Sequence, residues 1–110
     1  MENKNVIYLT LDTKATITEF KGQAFAVSGY IDNEVVGKNW FEVFIPDADQ
    51  KEVFNVFNSF LNGNISFWEH ENALRCKDGE LCLIRWKNSL RRDSNNIPIA
   101  VFCEGTLLQD

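Results

Sequence analysis

Leu81-Cys82-Leu83-Ile84-Arg85-Trp86-Lys87-Asn88-Ser89-Leu90, entered through Lys77-Asp78-Gly79, is the stretch whose reading decides the fold. A β-strand turns successive side chains to opposite faces. That period puts Cys82, Ile84, Trp86, Asn88 and Leu90 on one face and Leu81, Leu83, Arg85, Lys87 and Ser89 on the other. The first set is bulky and mostly apolar, while the second carries the cations, so the segment predicts a strand with one face on a core. Asp78-Gly79 supplies the positive-φ positions that a tight hairpin prefers, and a partner strand is expected over 65–75. A further turn at 93–96 leads to a last strand over 97–108.

Upstream, 6–11 is a β-branched and aromatic run, Asp12-Thr13 is turn-prone, and 15–20 alternates again, which predicts a first hairpin. Ala24, Phe25 and Val27 have helical spacing, and Gly29 suits a left-handed cap. Short helical turns are expected over 32–45, with Gly37 free to take unusual backbone angles and Trp40, Phe41, Val43 and Phe44 as apolar contacts. Pro46 ends that block, and Asp47 or Asp49 is expected to cap the best helix of the chain. Val53, Val56, Phe57, Phe60 and Leu61 recur there at the spacing of one helical face, and Asn62-Gly63-Asn64 closes it. Strands, then helices, then strands again predict an α+β domain with a mostly antiparallel sheet.

The chain has 110 residues, 13% of them aromatic and 45% hydrophobic, which is one domain's length with a bulky core and no disordered composition. A net charge of −5 and scattered basic residues argue against nucleic-acid binding. Cys76, Cys82 and Cys103 form no CxxC pair and there is one histidine, so neither a zinc site nor a disulfide framework is indicated. Free thiols, the lack of an apolar run of membrane-spanning length and the lack of a signal-peptide core lead us to expect a cytoplasmic protein without membrane contact. No serine has a nucleophile's context, so an enzyme is not expected.

The order of elements resembles the PAS fold, a five-stranded antiparallel sheet in the order 2-1-5-4-3 with helices packed on one face. Ser28-Gly29-Tyr30 is similar to the family's Gly-Tyr after its first helix. The 34–41 block followed by Phe44-Ile45-Pro46 resembles the helix-and-loop segment that comes next. Lys77-Asp78-Gly79-Glu80 stands where the family has its Lys-Asp-Gly hairpin, and 83–89 resembles the Trp-x-Asn strand of bacterial sensor-kinase members. Two features depart from the pattern: Lys21 stands near a frequent Asn, and the closing Asp-x-Thr is incomplete, with Asp110 in the place of its Asp. The resemblance therefore implies that 1–110 is a single PAS domain and a fragment of a longer signalling protein. It would bind a small ligand or cofactor, pair as a homodimer, and serve a C-terminal effector domain in the same chain, of kinase or cyclic-dinucleotide type as in two-component systems. A ligand-free scaffold is the alternative.

The resemblance also directs attention to a pocket between sheet and helices, with Phe57, Phe60, Trp68, Ile84, Trp86 and Asn88 as candidate lining. Gly37-Lys38-Asn39 is followed by Trp40 where cysteinyl-flavin photosensors need a thiol, and 50–61 holds no histidine for haem. Trp68 falls where redox flavin-binding members carry a tryptophan, which leaves a flavin open; a core or interface aromatic is the commoner role. Asn88 reads either as a structural tie to backbone or as a ligand-orienting group. Phe57 and Phe60 are core residues first. His70, between Glu69 and Glu71, reads as a solvated polar residue.

Overall fold

The computed structural model describes residues 6–64 and 68–108. β1 (Val6–Asp12) and β2 (Ile17–Gly22) form the first hairpin. The helices α1 (Ala24–Ser28), α2 (Asp32–Val35), α3 (Trp40–Phe44) and α4 (Gln50–Leu61) follow, and then β3 (Glu69–Arg75), β4 (Leu81–Arg92) and β5 (Pro98–Leu107). The five strands are antiparallel, as the α+β reading expects, and lie in the order β2-β1-β5-β4-β3, as the family resemblance implies.

Along β4, Ile84 and Trp86 are buried while Leu81, Leu83, Arg85, Lys87 and Ser89 are exposed, so the period-two reading holds residue by residue. The buried face continues across the sheet through Ile7, Leu9 and Leu11 of β1 and Val101 and Cys103 of β5. Phe44, Ile45 and Val35 close the core from the helical side.

The three hairpin turns share one design. Ala15 N–H donates to Asp12 O, Gly79 to Cys76 O and Asn96 to Asp93 O, and Ala15, Gly79 and Asn96 each take positive φ of 64°, 90° and 66°. A type I turn followed by one left-handed residue explains this pattern. Asp78 therefore does not share the positive-φ role with Gly79, as a two-residue reversal would need; its carboxylate instead accepts from Glu80 N–H at 2.9 Å.

The expected cap of α4 is not made. Asp47–Asp49 forms a 3-10 turn, and Asp49 takes helical angles with no side-chain bond to the helix. The start of α4 is tied instead by Gln50, whose Nε2 donates to Phe41 O (3.0 Å) and Ile45 O (3.1 Å). At the other end Asn64 N–H bonds Ser59 O and Gly63 N–H bonds Phe60 O, the paired closure of a Schellman motif. Asn39 is the true cap of this region, its Oδ1 accepting from Phe41 and Glu42 N–H at the start of α3.

β5 passes beneath Trp86 at Gly105, its direct cross-strand partner. A Cβ built on Gly105 would lie 2.5 and 2.7 Å from carbons of the indole and 2.8 Å from Ile84. This glycine makes room for the ring.

Two substitutions separate backbone from packing effects. Gly79 has open space where a Cβ would go, so Gly79→Ala should lose only the conformational cost of a left-handed residue, about 1–2 kcal/mol in urea unfolding. Gly79→Asn should lose less. Gly105→Ala should cost about 1–3 kcal/mol through overpacking, and should also change the near-ultraviolet tryptophan signal, which Gly79→Ala should leave alone.

Candidate functional site

The buried face of the sheet does not meet the helices everywhere. Between α3, α4 and strands β1, β3, β4 and β5 lies a cavity of about 50 Å³. Trp40 and Phe41 form its wall on α3, and Val53, Val56, Phe57 and Phe60 its wall on α4. The sheet supplies Leu9, Leu11, Val101 and Cys103 as an apolar floor, with His70, Asn72, Trp86 and Asn88 as its polar side. Phe57 and Val56 are only half-buried, so α4 covers the cavity loosely along this edge.

Two polar atoms here stand out. Trp86 Nε1 and His70 Nε2 are buried, and neither finds a hydrogen-bond partner among the described residues. His70 and Trp86 face each other directly across the β3–β4 ladder, and both line the cavity. Leaving such atoms unpaired costs roughly 1–3 kcal/mol each, so a pair at one cavity is a notable departure from ordinary packing. The indole Nε1–H can only donate, while His70 Nε2 donates in one tautomer and accepts in the other. Asn72 Nδ2 is already committed, donating to Ala73 O at 2.9 Å. Burial pushes the Cys103 thiol up to about 12, which keeps it a neutral wall and not a nucleophile at neutral pH.

The residues singled out in the sequence separate into two groups. Phe57, Phe60, Trp86 and Asn88 all line the cavity. Trp68 does not: the residue is 51% exposed, and its backbone is tied to the sheet through Asn88 N–H to Trp68 O at 2.6 Å. The alternation that would turn Trp68 inward applies only within β3, which begins at Glu69. Ile84 faces inward but is fully buried beside Gly105, packed solid and off the cavity. His70 is the correction in the other direction, since it turns inward opposite Trp86 and is not a solvated surface group. Its even parity with Asn72 and Leu74 carried that signal; the flanking glutamates, which face outward, obscured it.

The cavity as it stands is far below the roughly 300–1,000 Å³ of sites for drug-sized ligands, so a flavin ring system does not fit it in this conformation.

The described residues contain no helix long and apolar enough to cross a membrane. No curated protein matches the chain. Among solved structures, the Cycle PAS-B domain of Drosophila melanogaster with bound ethylene glycol superposes with a TM-score of 0.79 at 12% identity, over 93% of this chain and 99% of that one. The RpfR quorum-sensing receptor PAS domain of Cronobacter turicensis in complex with BDSF gives 0.71 at 24% identity, over 96% and 95%. A PAS domain from Colwellia psychrerythraea gives 0.79 at 14%, over 94% and 86%. The sequence profile of the family described as PAS fold matches residues 17–103, and with the strand order and the helices on one face it establishes that this chain belongs to the PAS family.

Proposed function

We propose that this domain is a sensory module whose cavity binds a small, largely apolar molecule carrying a hydrogen-bond acceptor, and that an effector domain in the same chain reads its occupancy. The observation that carries the reading is the pair of unpartnered buried atoms, Trp86 Nε1 and His70 Nε2, on the polar side of a mostly apolar cavity. An oxygen acceptor placed between them would pair both, with His70 in its Nε2–H form. The apolar tail would run between the sheet and the Val56–Phe57 edge of α4. The RpfR domain has been solved with BDSF and with C12:0, and the Cycle domain with ethylene glycol, so related folds accept both small and chain-like molecules. A kinase or cyclic-dinucleotide effector and a cytoplasmic setting belong to this reading on family resemblance, and the domain itself would not be catalytic.

Titration with hexanoate and dodecanoate, followed by amide and indole chemical shifts, tests it. The Trp86 indole and His70 signals should move, whereas the exposed Trp68 indole should stay. Trp86→Phe should weaken binding about tenfold, one hydrogen bond's worth. Unmoved Trp86 and His70 signals with both acids, together with no small molecule retained on native mass spectrometry, would overturn the reading in favour of a ligand-free scaffold.

Self-association is the second part of the proposal. Leu81 and Leu83 are 58% and 45% exposed on the outer sheet face, next to the Arg85–Glu71 ion pair (2.8 Å). An apolar strip beside paired charges of both signs is self-complementary for a second copy about a two-fold axis. Sedimentation should show a concentration-dependent dimer that Leu83→Lys weakens. A monomer at every concentration would sink it.

A further inference from the structure

Away from the cavity, the β3–β4 hairpin brings together two of the three cysteines. Cys76 follows β3 and Cys82 lies on β4, two residue pairs apart along the hairpin: Leu74 is the direct partner of Cys82, and Cys76 N–H bonds Glu80 O at 2.8 Å. Their Sγ atoms are 3.5 Å apart. Both side chains are half-buried and both line an open groove of about 600 Å³ between the hairpin and α1, which gives small solutes access. A disulfide holds its sulfurs near 2.0 Å, so the pair has to close by about 1.5 Å.

The same sulfur also holds a helix. Cys76 Sγ–H donates to Val27 O at 3.3 Å, and the next residue, Lys77, donates its N–H to Ser28 O at 2.8 Å. A helix end leaves its last carbonyls without intrahelical partners. Here the hairpin supplies them from 49 residues away, and Lys77 adds an ion pair to Glu34 of α2.

We propose that Cys76 and Cys82 form a reversible dithiol–disulfide site, and that its oxidation releases the hairpin's hold on the C-terminal end of α1. The oxidant is a peroxide. The Cys82 thiolate attacks one peroxide oxygen and the O–O bond breaks, giving a sulfenic acid at Cys82 and, after protonation, water. Cys76 Sγ then attacks the Cys82 sulfur, its proton goes to the departing hydroxide, and an S–S bond and a second water form. Two thiols are oxidised by two electrons and one peroxide is reduced to two waters. Burial and the neighbouring Cys82 thiol push the Cys76 thiol up to about 12, so Cys76 is almost wholly protonated at neutral pH and its attack is the slow step. Once oxidised, Cys76 has no hydrogen to give Val27 O. This inference is independent of the cavity and its ligand.

The test is dilute hydrogen peroxide on the folded domain, followed by alkylation, peptide mapping and amide hydrogen exchange. The expected result is a Cys76–Cys82 linked peptide reversed by dithiothreitol, with the buried Cys103 still a thiol and exchange in 24–29 accelerated. Cys82→Ser should abolish both the link and the accelerated exchange, while keeping the Cys76 bond to Val27. Cys76 and Cys82 remaining reduced, oxidising without a link, or linking only between chains would overturn the site. A link with unchanged exchange in 24–29 would overturn the release.

Discussion

The indole of Trp86 lying across Gly105 is the contact on which the remaining architecture depends. With no Cβ on β5 at that point, the ring settles against the strand and still fills the space between sheet and helices. Trp40 meets it edge-on at 5.4 Å, Phe44 packs on Trp40 at 5.0 Å, and Phe44 is stacked on Phe20 at 5.4 Å and touched edgewise by Tyr30 at 5.3 Å. One aromatic chain therefore joins β4, α3, β2 and the segment between α1 and α2. Each such contact adds about 0.5–1.5 kcal/mol beyond the area it buries. Their geometric consequence matters as much, because Trp40 of α3 packs on a ring that is itself seated against Gly105.

That constraint was half legible in the sequence. The period of 82–90 put Trp86 and Asn88 on the inner face, and the hairpin signal at 77–79 placed β4 in the sheet, because alternation and turn chemistry are local properties. The strand order was legible only through resemblance to a family, since nothing local pairs β1 with β5 across most of the chain. What local reasoning misjudged shares a single cause. His70 and Trp68 have the same parity, yet one faces the cavity and the other solvent, because β3 starts between them. Parity carries information only inside a strand, and strand ends are set by pairing. The capping role given to Asp47 or Asp49 failed for a related reason: Gln50, by bonding Phe41 O and Ile45 O, ties α4 to α3 through tertiary contact, and no side-chain cap is made.

The helical layer is uneven in a way that bears on function. Val35, Phe44 and Ile45 are fully buried, so the region around α2 and α3 is close-packed. Along α4 only Val53 and Phe60 are buried, neither of them fully, and Phe54 is 49% exposed. Most helical stability comes from tertiary packing of the apolar face, so α4 is the least anchored of the walls around the cavity. Its two ends are nevertheless fixed, by Gln50 at the start and by the Asn64 and Gly63 closure at the end.

These facts determine how a ligand could act on the fold. The sheet wall is held by continuous ladders on both sides of β4 and β5, so moving it breaks several backbone hydrogen bonds together. Displacing the half-buried edge of α4 exposes only part of Val56 and Phe57. An occupant larger than about 50 Å³ would therefore displace α4 more readily than the sheet, with Trp86 staying on Gly105. A ligand shifts a conformational equilibrium only by its differential affinity for the two states. The unpaired Trp86 and His70 atoms supply part of that difference, but only if the polar group can reach them, and in the closed state the cavity is too small to admit a chain behind it. On the proposed reading, the Trp86 and His70 nitrogens would seat the polar head of a ligand, and the loosely packed edge of α4 would be the element to respond.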